Sequence, residues 1–179
     1  LGFAITKSTS YNHPYQLARE FSTLDHTTDG RVAFNVVTSY LESAAANLGV
    51  EGRMDHDERY DRADEFMDVV YALWEESWED DAVVRDRASG RYADPSKVHP
   101  IDHEGEYFSV AGPHGCEPSP QRTPVIYQAG SSERGREFAA KHAEGVFVSQ
   151  PNEDAVADYV ADLRERAATH GRDPDSLSF

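Results

Sequence analysis

One cysteine, Cys116, stands among 179 residues, so the chain cannot close an internal disulfide, and a reducing compartment such as the cytoplasm fits this. Basic residues are also scarce. Seventeen Lys and Arg face 33 Asp and Glu, giving a formal net charge of −16. A surface of that sign repels phosphate backbones and anionic headgroups, which argues against nucleic-acid and membrane partners. No apolar run reaches the length a membrane-spanning helix needs, and no signal peptide is recognisable. Zinc-type spacing is missing as well: His13, His26 and His56 follow no familiar ligand pattern and no Cys cluster supports them, so no metal is expected. The chain lacks G-x-x-x-x-G-K-[ST], G-x-G-x-x-G and G-x-S-x-G, which leaves a P-loop, a dinucleotide fingerprint and a hydrolase elbow all unsupported.

Hydrophobic residues at 39% and aromatics at 11% supply a core, and the length suits one domain. Residues 1–5 read as a short buried strand. Pro14 opens a helix over 14–25, carried by Leu17, Phe21 and Leu24 at helical spacing. Thr28-Asp29-Gly30 is a stop and turn. Residues 32–37 form an apolar, β-branched run typical of a fully buried strand, interrupted by Asn35. A short helical excursion over 41–48 follows. The longest helix spans 57–78, with Tyr60, Ala63, Phe66, Met67, Val70, Tyr71 and Trp74 on one stripe and acids on the other face. Residues 79–124 are too long for an ordinary connection and read as an insertion or lid, with a small hairpin arm around Tyr107, Phe108 and Val110. A strand at 125–128, a helix at 132–142, a strand at 145–149 and a helix at 154–170 complete the order. Buried strands alternating with amphipathic helices predict an α/β parallel sheet, either doubly wound or part of an eight-stranded barrel. Both ends read as interrupted elements, so the sequence reads as an internal piece of a larger protein.

Three places could carry chemistry. Asn35 and Ser39 lie at the carboxyl end of a strand, where barrel enzymes keep their site residues, and an amide suits the polar edge of a planar ring. Asn35 could equally be satisfied by neighbouring backbone. His56 and Tyr60 are spaced i, i+4 and share a helix face; a cap and a core tyrosine is the plainer alternative. Gly130-Ser131-Ser132 precedes a helix, whose free N–H groups and positive end favour an anion, although a serine here also serves as an ordinary N-cap.

Three long strings carry a family resemblance: "GRVAFNVVTSYLESAAANLG" at 30–49, the segment 56–113 beginning "HDERYDRADEFMDVVYALWEESWEDD", and "PVIYQAGSSERGREFAAKHAEGVFV" at 124–148. They resemble the bacterial-luciferase-like flavin monooxygenases, in the subgroup acting on nitrilotriacetate, EDTA, dibenzothiophene sulfone and long-chain alkanes. Phe34 stands where that family often has Trp. The resemblance implies part of a (β/α)8 TIM barrel with a long insertion, running from about the third strand to the edge of the seventh as one incomplete domain over 1–179. It implies reduced FMN, supplied by a separate NAD(P)H:flavin reductase, and O2 as the source of one oxygen atom placed on a small organic substrate. By the same resemblance Asn35 and Ser39 would contact the flavin ring, His56 and Tyr60 would lie near the ribityl chain and phosphate, and Ser131 and Ser132 would bind the phosphate. No catalytic residue is assigned. Homologues commonly pair, which allows a homodimer. Two other readings stay open: a truncated remnant without catalysis, and a barrel hydrolase using His56 and its neighbouring acids.

Overall fold

The computed structural model describes residues 1–39, 41–50 and 54–179. The element order is β1 (Phe3–Ser8), α1 (Pro14–Thr28), β2 (Val32–Val37), α2 (Glu42–Asn47), α3 (His56–Tyr71), a π-helical turn (Ala72–Glu76), β3 (Val83–Asp86), β4 (Arg91–Ala93), β5 (His103–Glu104), β6 (Ser109–Val110), β7 (Val125–Gln128), α4 (Glu133–His142), β8 (Gly145–Val146) and α5 (Glu153–Thr169). These elements form two compact units, one of residues 1–2, 12–32 and 65–124, the other of residues 3–11, 33–64 and 125–179.

The second unit holds a sheet in the order β1-β2-β7-β8, with β2–β7 and β7–β8 parallel. Register decides what each face does. Phe34 pairs with Ile126, and both are buried, at 0% and 2% exposure. One residue on, Asn35 pairs with Tyr127 and Tyr127 with Gly145, so this row lies on the opposite face. Asn35 therefore does not break the apolar run; it belongs to the alternate side of a strand whose other side is core. Helices α4 and α5 pack their small and apolar stripes together, burying Ala139, Ala140, Ala143, Tyr159, Leu163 and Ala167 with Val146 and Leu177.

The first unit is built on α1, the carboxyl half of α3 and two small antiparallel hairpins, β3–β4 and β5–β6. Its core includes Leu17, Phe21, Phe66, Met67, Val70, Leu73 and Phe108. His13 caps α1 by accepting the Tyr15 N–H, and Pro14 occupies the first turn, where a missing N–H costs nothing. The Asp25 carboxylate accepts from the Gln121 backbone N–H at 2.8 Å and its side-chain amide at 2.5 Å, and that amide also donates to the Val32 carbonyl.

Several boundaries differ from those the sequence suggests. The first strand is Phe3–Ser8 rather than 1–5. Helix α1 runs three residues past 25, because Asp29 takes the left-handed conformation and closes it on the Asp25 and His26 carbonyls. The long helix is α-helical only to Tyr71 and then widens into the π turn. The strand expected over 145–149 is reduced to Gly145–Val146, although the Phe147 N–H still reaches the Gln128 carbonyl at 2.9 Å. The arm around Tyr107, Phe108 and Val110 is a hairpin, with His103 opposite Val110 and Glu104 opposite Ser109.

Candidate flavin seat

All six candidate residues fall in the second unit. They form two groups. On the strands, Asn35 donates its amide to Thr6 Oγ1 at 2.9 Å, and Ser39 donates to Ser8 Oγ at 2.8 Å. Ser39 sits at φ 50°, a left-handed conformation that bends the chain away at the end of β2. The second amide atom of Asn35 is the notable one. Its Oδ1 is buried and accepts no hydrogen bond, and an unpaired buried acceptor costs about 1–3 kcal/mol. A donor on a bound ring would remove that cost.

The other group gathers at the start of α4. Ser132 is the N-cap, its hydroxyl accepting the Gly135 N–H at 3.1 Å, so the ordinary role of a serine here is fulfilled. Ser131 is exposed beside it, and its carbonyl accepts from Arg136 Nε at 3.1 Å. Tyr60 is buried, with its ring 5.8 Å from Phe138. Its hydroxyl lies against Gly135, where a Cβ would come within 2.8 Å of it and within 2.9 Å of the Gly130 Cα. A Cβ on Gly130 would in turn meet the Gly135 Cα at 2.7 Å. The two glycines thus stand back to back and bring the turn after β7 hard against the first turn of α4. The Gly130 carbonyl is held by the Tyr159 hydroxyl at 2.7 Å, and its N–H by the Gln128 side chain. Burial raises the Tyr159 hydroxyl above its usual range, so it remains a donor.

His56 opens α3 and is exposed. Its ring tilts over Tyr60 at 5.2 Å, while Nδ1 bonds Asp57 at 2.7 Å rather than capping the helix. Among the described residues no set of three His, Cys, Asp or Glu side chains is grouped to hold a metal ion, and no helix is long and apolar enough to cross a membrane.

Thr6, Ser8, Gln128, Gly135 and Tyr159 escaped the reading of the sequence. Only Gly135 left a trace, as a glycine inside a helix, which a packing demand usually explains. The others become visible through strand register and α4–α5 packing.

The model of luciferase-like monooxygenases matches residues 1–179. The chain belongs to that family. It is 61% identical over its whole length to a long-chain alkane monooxygenase of Geobacillus thermodenitrificans (strain NG80-2), covering 41% of that protein. It is 55% identical to a dimethyl-sulfide monooxygenase of Hyphomicrobium sulfonivorans, covering 37%. The crystal structure of a long-chain alkane monooxygenase superposes on 99% of the chain with a TM-score of 0.96, using 41% of its own length. A riboflavin lyase solved with modified FMN and riboflavin superposes with a TM-score of 0.94 at 49% identity, over 99% of this chain and 39% of that one. Membership makes the sheet part of a luciferase-like α/β barrel, a family of enzymes in which a flavin cofactor is implied. The chain spans about two fifths of the length of these relatives.

Proposed function

We propose that the carboxyl-end rim of the sheet seats reduced FMN, and that the protein is the oxygenase half of a two-component flavin monooxygenase. The observation that carries this is the glycine-backed turn at α4, where Gly130 and Gly135 stand back to back, the Tyr60 hydroxyl lies against Gly135 and Ser132 caps the helix amino end. The orphaned Oδ1 of Asn35 supports it, since the ring edge of a flavin offers an N–H between two carbonyls. In this reading Asn35 and Ser39 hold the ring, His56 and Tyr60 flank the ribityl chain and phosphate, and Ser131 and Ser132 face the phosphate. Bound reduced flavin supplies the electrons with which O2 delivers one oxygen atom to a small organic substrate, the other leaving as water. The chain's own residues bind and orient the cofactor and keep water from the ring.

The rest of the proposal follows from this reading. An NAD(P)H:flavin reductase supplies the cofactor, the location is cytoplasmic, and a homodimer is the assembly. Residues 1–179 are one barrel-type domain with 79–124 inserted. Whether that insertion covers the flavin is testable. A version with β3–β4 shortened should bind FMN less tightly, and unchanged affinity would remove the lid role.

Titration with FMN, followed by quenching of flavin fluorescence, tests the seat. Saturable binding is expected, weakened about tenfold by Ser131→Ala, the cost of one hydrogen bond to a charged group. A second reading is a remnant without catalysis. Absence of binding by a folded sample would decide for that one.

A further inference from the structure

The hairpin β3–β4 reverses the charge of the chain that carries it. Three arginines stand on it against one acid, in a protein of net charge −16. Arg85, Asp86, Arg87, Gly90, Arg91 and Tyr92 line an open groove of about 350 Å³. Asp86 does not neutralise them: its carboxylate is taken up within the turn, by the Ala88 N–H at 2.9 Å and the Ser89 hydroxyl at 2.6 Å. Arg85 is committed to Glu117, whose two oxygens its Nη2 reaches at 2.8 Å. Arg87 and Arg91 are exposed and form no ion pair with any described residue. Val84 and Tyr92 add apolar surface beside them, at 44% and 53% exposure. Arginine and tyrosine on one exposed hairpin are the composition of a protein contact.

The second unit carries a surface of the opposite kind. Asp154, Asp158 and Glu165 fall within about 40° of one another around α5, at 3.6 residues per turn. All three are exposed, and none forms an ion pair with a described residue. Their neighbour Asp162, by contrast, is held by Arg136 and Arg166. Ala161 lies on the same strip and is exposed, which leaves a flat apolar step between the acids.

We infer that the β3–β4 hairpin of one copy docks on the acidic strip of α5 of a second copy. Each copy brings one hairpin and one strip, so a two-fold pair closes with two equal contacts. Arg87 and Arg91 meet the acids, while Tyr92 and Val84 pack on the alanine step. Exposed ion pairs are weak singly, so the apolar contact is required for affinity and the charges fix the register. The inference rests on the homodimer proposed above, for which it supplies the contact, and not on the flavin seat.

Sedimentation equilibrium at about 0.15 M salt tests it, because there screening leaves charges at contact as the dominant ones. The unsubstituted chain is expected to be a dimer. R87E/R91E should raise its dissociation constant at least tenfold, and D158K/E165K should do the same. The first pair raises the net negative charge and the second lowers it, so a loss in both cannot come from overall repulsion. The four substitutions combined should restore the constant to within about threefold. Circular dichroism checks folding; for a reversal that unfolds, R87A/R91A or D158N/E165N takes its place, with an expected loss of about threefold. A dimer that neither reversal weakens overturns the contact and leaves the homodimer standing. Loss in both reversals without recovery in the combination overturns the pairing of hairpin with α5. A chain that is monomeric throughout overturns the homodimer and the contact together. FMN affinity enters none of these readouts, so the seat stands or falls separately.

Discussion

Between pH 6.5 and 4 the protein is expected to lose roughly 3 kcal/mol of stability through His114 alone, the linkage value of its pKa shift. This histidine is 3% exposed. Its Nε2 shares a hydrogen with Ser22 Oγ at 2.9 Å, its N–H donates to Ser77 Oγ at 2.7 Å, and its carbonyl accepts the Trp78 indole at 2.9 Å. Its Nδ1 has no partner. A ring so placed has nowhere to send a second proton. Burial first, and then the positive charge of Arg19, push its pKa from 6.5 down to about 4. The sign follows directly. Above 6.5 the ring is neutral in both states, so nothing is lost. Between 6.5 and 4 the unfolded chain takes up a proton that the folded chain refuses, and the balance shifts toward unfolding. Carboxylates with lowered values, such as Glu65 and Asp64, add their losses only below the ordinary carboxylate range, so the histidine has the window above 4.5 largely to itself. Urea midpoints at pH 7, 6, 5 and 4.5 should fall steadily in the native chain and much less in His114→Gln. Parallel profiles would remove His114 as the cause.

His114 sits in a Gly/Pro-rich loop, where the sequence hints at a turn and at nothing buried. That is one side of what could be read from residues alone. β2, β7, α4 and α5 were legible because each imposes its own period: a β-branched run of six, a four-residue apolar strand, and two helices with start and stop residues in place. The start of α4 was legible for a similar reason, since Gly-Ser-Ser before a helix is local chemistry. What stayed hidden depends on partners distant in sequence. The unpaired Oδ1 of Asn35 follows from which face of β2 it occupies, and that follows from the register with β7. Glu65 looks like a member of a solvated charged face, because α3 carries charges all along its polar stripe. The partners of Glu65 lie far along the chain, at His103, Tyr107 and Phe108, where no helical period records them. The split into two units was not anticipated either: α3 contributes residues to both, so its periodicity runs unbroken across the division.

Glu65 makes the same point with a large expected effect. Read as a solvated acid, it is instead the pin of the β5–β6 hairpin. Its carboxylate accepts the backbone N–H of Tyr107 at 2.9 Å and of Phe108 at 2.8 Å, and bonds His103 Nε2 at 3.1 Å. Burial alone would raise its pKa; these hydrogen bonds more than offset that and hold the carboxyl below its usual value. The hairpin has only two residues per strand, too little to stand by itself, so its place depends on this carboxylate and on Phe108 meeting Phe66 edge to face at 5.7 Å. Glu65→Ala leaves two backbone donors unpaired and should cost about 2–4 kcal/mol, from one to two for each orphaned group. Glu65→Gln retains an acceptor oxygen without the charge and should recover about half of that loss. Amide hydrogen exchange at residues 103–110 would distinguish a local from a global effect: in Glu65→Ala these amides should lose protection first, while those of α5, in the other unit, keep theirs. Uniform loss across both units would mean that Glu65 supports the whole fold rather than this hairpin. Protection unchanged at 103–110 would mean that the aromatic pair alone holds the hairpin, and that the three hydrogen bonds are dispensable.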